Sequence, residues 1–361
     1  MHRVLQGLLI AVASGWLSCA SAASVVFLSP GPATDGYWAT YAKFMKSAAD
    51  KLGMSLTVRF SDRDTRQLLI LAREELLGPK RPDYLMFSNE LNVAPEILRL
   101  SEGSGVKLFA VNNTLTPDQI RILGDLRQRY PDFLGSLVAN DEDAGYLTAK
   151  HLISLHPRGD GARAIEMLAF SGTNTTPVSL KREKGLYRAL AEHPEVRLRQ
   201  IALGGWRRDR AHEQARLLLK RYPAVNLIWA ANDLMAFGAM DAIREKGGEP
   251  GTDVLVSSIN WSPESLRDLQ QGRIGAIAGG HFTLGGLAMV LLHDYDAADP
   301  QTRSFIGARE AKVMQLVGPG DVKKIIEAGR RDDFGIDVRL FSLLGKPPGS
   351  EYAFTLKSVL H

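Results

Sequence analysis

The chain has 361 residues, 45% hydrophobic and 23% charged, the balance of a folded globular protein and enough length for two domains of ordinary size. Its formal net charge of +4 is spread through mixed-sign segments with no long basic block, which gives nucleic-acid binding little support. Cys19 is the only cysteine.

Within residues 1–22, Arg3 is the only fixed side-chain charge. The apolar run Leu8-Leu9-Ile10-Ala11-Val12-Ala13 follows, then the small residues Ser18-Cys19-Ala20-Ser21-Ala22-Ala23. These are the three parts of a secretory signal, with an apolar run too short for a bilayer, which needs about 20 such residues. Cleavage is expected after Ala22. Acylation of Cys19 is the weaker alternative, because the bulky Trp16 stands where an aliphatic residue is usual. A cleaved chain would hold no cysteine, which excludes disulfides, zinc–thiolate sites and thiol nucleophiles together.

Beyond the signal, apolar runs of strand length alternate with helical patterns. Ser24 to Leu28 reads as a first strand, ended by Ser29-Pro30-Gly31-Pro32, and Ala39 to Leu52 reads as a helix stopped by Gly53. Strands are expected at Leu56–Phe60, Tyr84–Phe87, Lys107–Val111 and Phe133–Leu137. After Asn140-Asp141 the design repeats. Helices over Asp141–Leu155, Leu180–Glu192, Arg208–Tyr222 and Leu234–Lys246 separate strands at Ala164–Leu168, Val196–Ile201, Leu227–Ala230 and Val254–Val256. The fold class is therefore α/β, with two similar doubly wound lobes built on parallel sheets.

In such sheets a ligand sits at the carboxyl ends of the strands, so the loops after each strand hold the candidates. Asp35, Tyr37 and Trp38 follow the first strand, where flat rings could stack on a ligand face and a carboxylate could take hydroxyls. Equally, the two rings could be a staple into the core. Asn112-Asn113-Thr114 follows the fourth strand, where the pair could form a turn or helix cap, or offer amide donors and acceptors to a polyhydroxylated ligand. Arg182 begins a helix within Lys181-Arg182-Glu183-Lys184, a cluster that could also be a solvated face. Trp206 follows Gly204-Gly205, Asn232 precedes a helix that it could cap, and Asn260 ends the run from Val254. No catalytic role is assigned: there is no G-x-S-x-G elbow, P-loop or H-E-x-x-H, and no dinucleotide fingerprint. No metal or other cofactor is expected. His293 with Asp294-Tyr295-Asp296 could chelate a cation, but reads more simply as a helix end.

At these residues the chain resembles the type I periplasmic binding proteins, the group of the ribose-binding proteins. Within that family it looks most like the periplasmic autoinducer-2 receptors of quorum sensing. The likeness runs from about Ser24 to Val317 and is most specific at Asp35-Gly36-Tyr37-Trp38, at Asp83 to Phe87 and at Tyr222 to Ala242. It implies two Rossmann-like lobes joined by a three-segment hinge, which close around a small polar, sugar-like ligand without catalysis. The lobes would be 23–139 plus 280–314, and 140–279 plus 315–361, crossing near Ala139, Gly279 and Gln315.

The resemblance also implies that Trp38 and Trp206 stack on the ligand ring, while Asp35, Asn112, Arg182, Asn232 and Asn260 bond its polar groups. Gly280 departs from the pattern, since family members carry a polar contact there, a space that His281 or Phe282 could fill. The implied partner is an ABC transporter permease or, alternatively, a membrane sensor protein, with the chain acting in the periplasm as a monomer. A sugar-responsive repressor would need a DNA-binding segment where the signal stands.

Overall fold

A computed structural model of the chain describes residues 22–157, 164–299, 305–354 and 356, with Leu91 described in its backbone only. Cys19 and most of the signal and its cleavage motif lie outside the described residues. The first lobe is built from β1 (Ser24–Ser29), α1 (Gly36–Lys51), β2 (Ser55–Phe60), α2 (Thr65–Leu77), β3 (Tyr84–Phe87), α3 (Ala94–Ser101), β4 (Lys107–Val111), α4 (Pro117–Leu123), α5 (Leu126–Arg129) and β5 (Phe133–Ala139). The second contains α6 (Asp141–Ser154), β6 (Ile165–Ser171), α7 (Pro177–Glu192), β7 (Val196–Leu203), α8 (Arg208–Arg221), β8 (Leu227–Ala230), α9 (Asp233–Glu245), β9 (Leu255–Ile259), α10 (Pro263–Gln270) and β10 (Ala276–Gly279). The chain then returns through α11 (Leu284–Ala297) and β11 (Gly307–Ala311) before β12 (Gln315–Val317) and α12 (Val322–Ala328).

Two six-stranded sheets result, ordered β11-β5-β4-β3-β1-β2 and β12-β10-β9-β8-β6-β7. Pairing is parallel throughout except at β12, which runs antiparallel to β10. This is the two-lobed α/β fold expected. Central strands such as Tyr84-Leu85-Met86-Phe87 are buried along their whole length, because helices cover both faces of the sheet. The edge strand β7, VRLRQIAL, mixes polar and apolar residues and is mostly half-buried. The chain passes between sheets after β5, after β10 and between β11 and β12. At that crossing Asn140 bonds the backbone of Met314, accepting from its N–H at 2.9 Å and donating to its carbonyl at 3.4 Å.

The tail departs from the expected boundary. After α12, which packs on α10 of the second lobe, the chain crosses back onto α1 and α11 of the first. Lys51 pairs with Asp333 at 2.7 Å, and Phe334 packs against Phe282 and Phe44 with ring centroids 4.4 and 6.2 Å away. Asp294, buried on α11, accepts from Ser342 Oγ and the Leu343 N–H, each at 2.6 Å, and from Tyr352 Oη at 3.1 Å. Asp294 therefore anchors the tail. Among the described residues, no group of three or more His, Cys, Asp or Glu could hold a metal ion.

Candidate functional site

The carboxyl ends of both sheets face one cleft of about 390 Å³ between the lobes. Asp35, Tyr37, Trp38 and Asn112 line it from the first lobe, and Arg182, Trp206, Asn232 and Asn260 from the second. All eight candidates from the sequence are thus brought together. Several of the loops that carry them are conformationally constrained. Arg63, Asn112, Trp206 and Asn260 adopt left-handed φ values of 62°, 66°, 64° and 110°, and each lines the cleft. Asparagine tolerates this region best among non-glycine residues, whereas an arginine or tryptophan there is held by its surroundings.

Helix α1 begins at Gly36, three residues before the expected start, so Tyr37 and Trp38 stand in its first turn rather than in a loop. Asp35 is the cap, accepting from the N–H groups of Tyr37 at 3.0 Å and Trp38 at 3.3 Å. Its other oxygen pairs with Arg63 Nη2 at 2.5 Å. Trp38 is only 5% exposed and packs on Phe27, Tyr37 and Tyr41, with its indole over Gly31. It is a wall of the cleft rooted in the core, less free than the stacking platform the resemblance implied. Tyr37 stacks on His281, with ring centroids 4.5 Å apart and 24° between planes, and its Oη donates to Asn112 Oδ1 at 2.9 Å.

Arg182 is buried, 3% exposed. Helices α6 and α7 approach so closely that a Cβ on Gly145 would lie 2.1 Å from the Arg182 carbonyl oxygen, and one on Gly185 would lie 2.0 Å from that of Glu142. This contact sets the guanidinium against Asp141, with Nε and Nη2 both 2.8 Å from Oδ1, while Nη1 donates to the Ala231 carbonyl at 2.7 Å. Burial pushes the Asp141 carboxyl above its ordinary range, and the Arg182 charge opposes that shift. Trp206 lies over Gly172, with the Arg182 guanidinium 5.8 Å from its ring centroid. Asn232 caps α9, accepting from the Met235 N–H at 2.9 Å, and donates to the Trp206 carbonyl at 3.4 Å.

The lining also includes Asn113, the second amide of the Asn112-Asn113 pair, His281 beside Gly280, and Asp233, together with Arg63 and Glu90, which the sequence did not single out. Arg63 and Glu90 follow strands β2 and β3, so the rule that found the others reaches them too. Asn113 Nδ2 donates to Glu90 Oε2 at 3.0 Å. Burial raises the Glu90 carboxyl above its ordinary value, against the pull of Arg63 and Asn113. Asp233 is held at 3.2 Å by Asn260 Nδ2, and burial raises it likewise, with hydrogen bonds from Ser262 and Asn260 opposing. His281 is depressed well below the ordinary imidazole value, first by burial and then by the Arg182 charge.

Two α/β lobes with a polar, aromatic-walled cleft at their strand ends define a small-molecule binding protein of the two-lobed type. Residues 134–297 match the periplasmic binding protein domain. A solved periplasmic sugar-binding protein from Pseudomonas fluorescens superposes with a TM-score of 0.82 at 45% identity, covering 94% of this chain and 99% of that one. The chain belongs to the periplasmic binding protein family. Among characterised relatives, the galactofuranose-binding protein YtfQ of Escherichia coli is 21% identical over 76% of this chain and 82% of its own length. The ribose import binding protein RbsB of the same organism is 24% identical over 63% of this chain and 69% of its own length.

Proposed function

We propose that this chain is a periplasmic protein that captures a small, polar, sugar-like molecule between its lobes and delivers it to an ABC importer, without turnover. The carrying observation is the convergence of aromatic, amide, carboxylate and guanidinium groups from both lobes on one cleft of about 390 Å³, within the size range of ligand pockets. The galactofuranose- and ribose-binding relatives support a sugar as the ligand class. A second lining arginine, Arg63, is already paired to Asp35. This arrangement favours a sugar over the anionic ligand of an autoinducer-2 receptor. A sensor role would use the same closure with a different membrane partner; the importer reading takes precedence because the named relatives include import proteins. Native mass spectrometry of protein purified without denaturation tests the reading. A bound mass matching a sugar or sugar alcohol supports it, and a bound peptide, nucleotide or lipid overturns it.

A further inference from the structure

We infer that His281 is a ligand contact that selects for a neutral polyhydroxylated molecule, an inference that rests on the sugar-capture reading above. His281 is 4% exposed, lines the cleft and directly follows Gly280, whose φ of 120° turns the chain as it leaves the second sheet for the first. Its Nδ1 is buried with no hydrogen-bond partner among the described residues. A buried polar atom in that state is costly unless something else satisfies it, and the residue that carries it borders the cleft where a ligand would sit. The ring is already fixed in orientation by its stack on Tyr37, whose hydroxyl is committed to Asn112.

The kind of partner follows from charge. Burial and the nearby Arg182 both keep the imidazole neutral. A neutral imidazole carries one N–H donor and one lone-pair acceptor, which matches a hydroxyl; an anionic oxygen needs donors alone. Two of the lining guanidiniums are answered internally, half-buried Arg63 by Asp35 at 2.5 Å and buried Arg182 by Asp141 at 2.8 Å. Glu90 and Asp233 add further carboxyl groups to the lining, and Arg267 stands exposed at the rim. A phosphate or carboxylate entering this site would meet carboxyl groups and a neutral ring, whereas a hydroxyl would meet groups that can both give and take.

The test uses tryptophan fluorescence titrations of wild type, His281→Phe and His281→Gln, each freed of co-purified ligand by unfolding and refolding. The probes are D-ribose, D-galactose, L-arabinose, D-allose and myo-inositol, with D-ribose 5-phosphate as the anionic comparison. Wild type should bind at least one neutral probe and discriminate against the phosphate. His281→Phe, which keeps the stack and removes both nitrogens, should weaken that binding at least about tenfold, and His281→Gln should recover part of the loss. Unchanged affinity in His281→Phe overturns the His281 assignment while leaving sugar capture intact. Wild type that prefers the phosphate, or binds no neutral probe, overturns the sugar reading and the neutral selection together. If the Phe variant does not fold, the Gln and Asn variants carry the test, and wild-type affinity in both overturns the assignment.

Discussion

Asn113 of the first lobe caps a helix of the second: its Oδ1 accepts a hydrogen bond from the backbone N–H of Val178 at 3.0 Å. Val178 lies in the first turn of α7, where N–H groups have no partner within the helix. Thr176, at the cap position, makes no capping bond of its own. The α7 terminus is therefore completed only when the lobes are together, and the exposed Lys181–Glu310 pair at 3.0 Å spans the same gap. Asn113 and Val178 both line the cleft, so their contact joins the lobes at the binding site itself.

Asn113→Ala should loosen the closed form without unfolding either lobe. A cap is worth about 1 kcal/mol, so sugar affinity should fall about fivefold. Hydrogen exchange at the Val178 amide, slow in the sugar-bound wild type, should become fast in the variant. Equal exchange in both would show that the contact does not hold the lobes.

Arg182→Ala should abolish binding and also lower stability, because it leaves Asp141 buried and unpaired. Side-chain exposures of 4% and 2% put the pair in the regime where removing one partner costs roughly 3–5 kcal/mol. Adding Asp141→Asn should restore part of the melting temperature and none of the affinity. A single variant that melts like wild type would contradict the structural half of this role.

The two cleft tryptophans should separate. Trp38 is rooted among Phe27 and Tyr41, so Trp38→Ala should cost roughly 3–5 kcal/mol of stability. Trp206 is half-buried in a loop, and Trp206→Ala should weaken binding by about tenfold or more with a much smaller change in melting. Paired thermal melts and titrations check this, and equal destabilisation by both variants would count against it.

His281 also makes stability depend on pH. Its folded value lies well below the ordinary 6.5, so below that pH the unfolded chain takes up a proton that the folded chain refuses. Stability should therefore fall as pH drops through about 6.5, at up to about 1.4 kcal/mol per pH unit from this group. The charged groups acting on it are Arg182 of α7 and, paired behind that residue, Asp141 of α6; Tyr37 of α1 covers its face. Melts of wild type and His281→Phe between about pH 7.5 and 5.5 should converge toward the acid end. Parallel curves would contradict the assignment.

Much of this was legible from the residues. Central strands such as β3 and β4 read as apolar runs because both of their faces are covered, and Asn112 and Asn260 stand where strand-end turns need them. Strand β11, GAREA, carries no such run, since three of its five residues are exposed at a sheet edge. Arg63 lies in Ser61-Asp62-Arg63-Asp64, which has the composition of a solvated turn. The burial of Arg182 within a lysine-rich stretch depends on the glycine contact between α6 and α7, a tertiary fact with no local signature. The tail's return to the first lobe depends likewise on Asp294 and Phe282, far away in sequence.

The most direct test of the account is small-angle X-ray scattering of the refolded, ligand-free protein, with and without a saturating concentration of the sugar identified by mass spectrometry. Capture between two closing lobes predicts a smaller radius of gyration with sugar present, and a smaller response in Asn113→Ala at the same sugar concentration. Identical curves with and without bound sugar would contradict closure around the ligand.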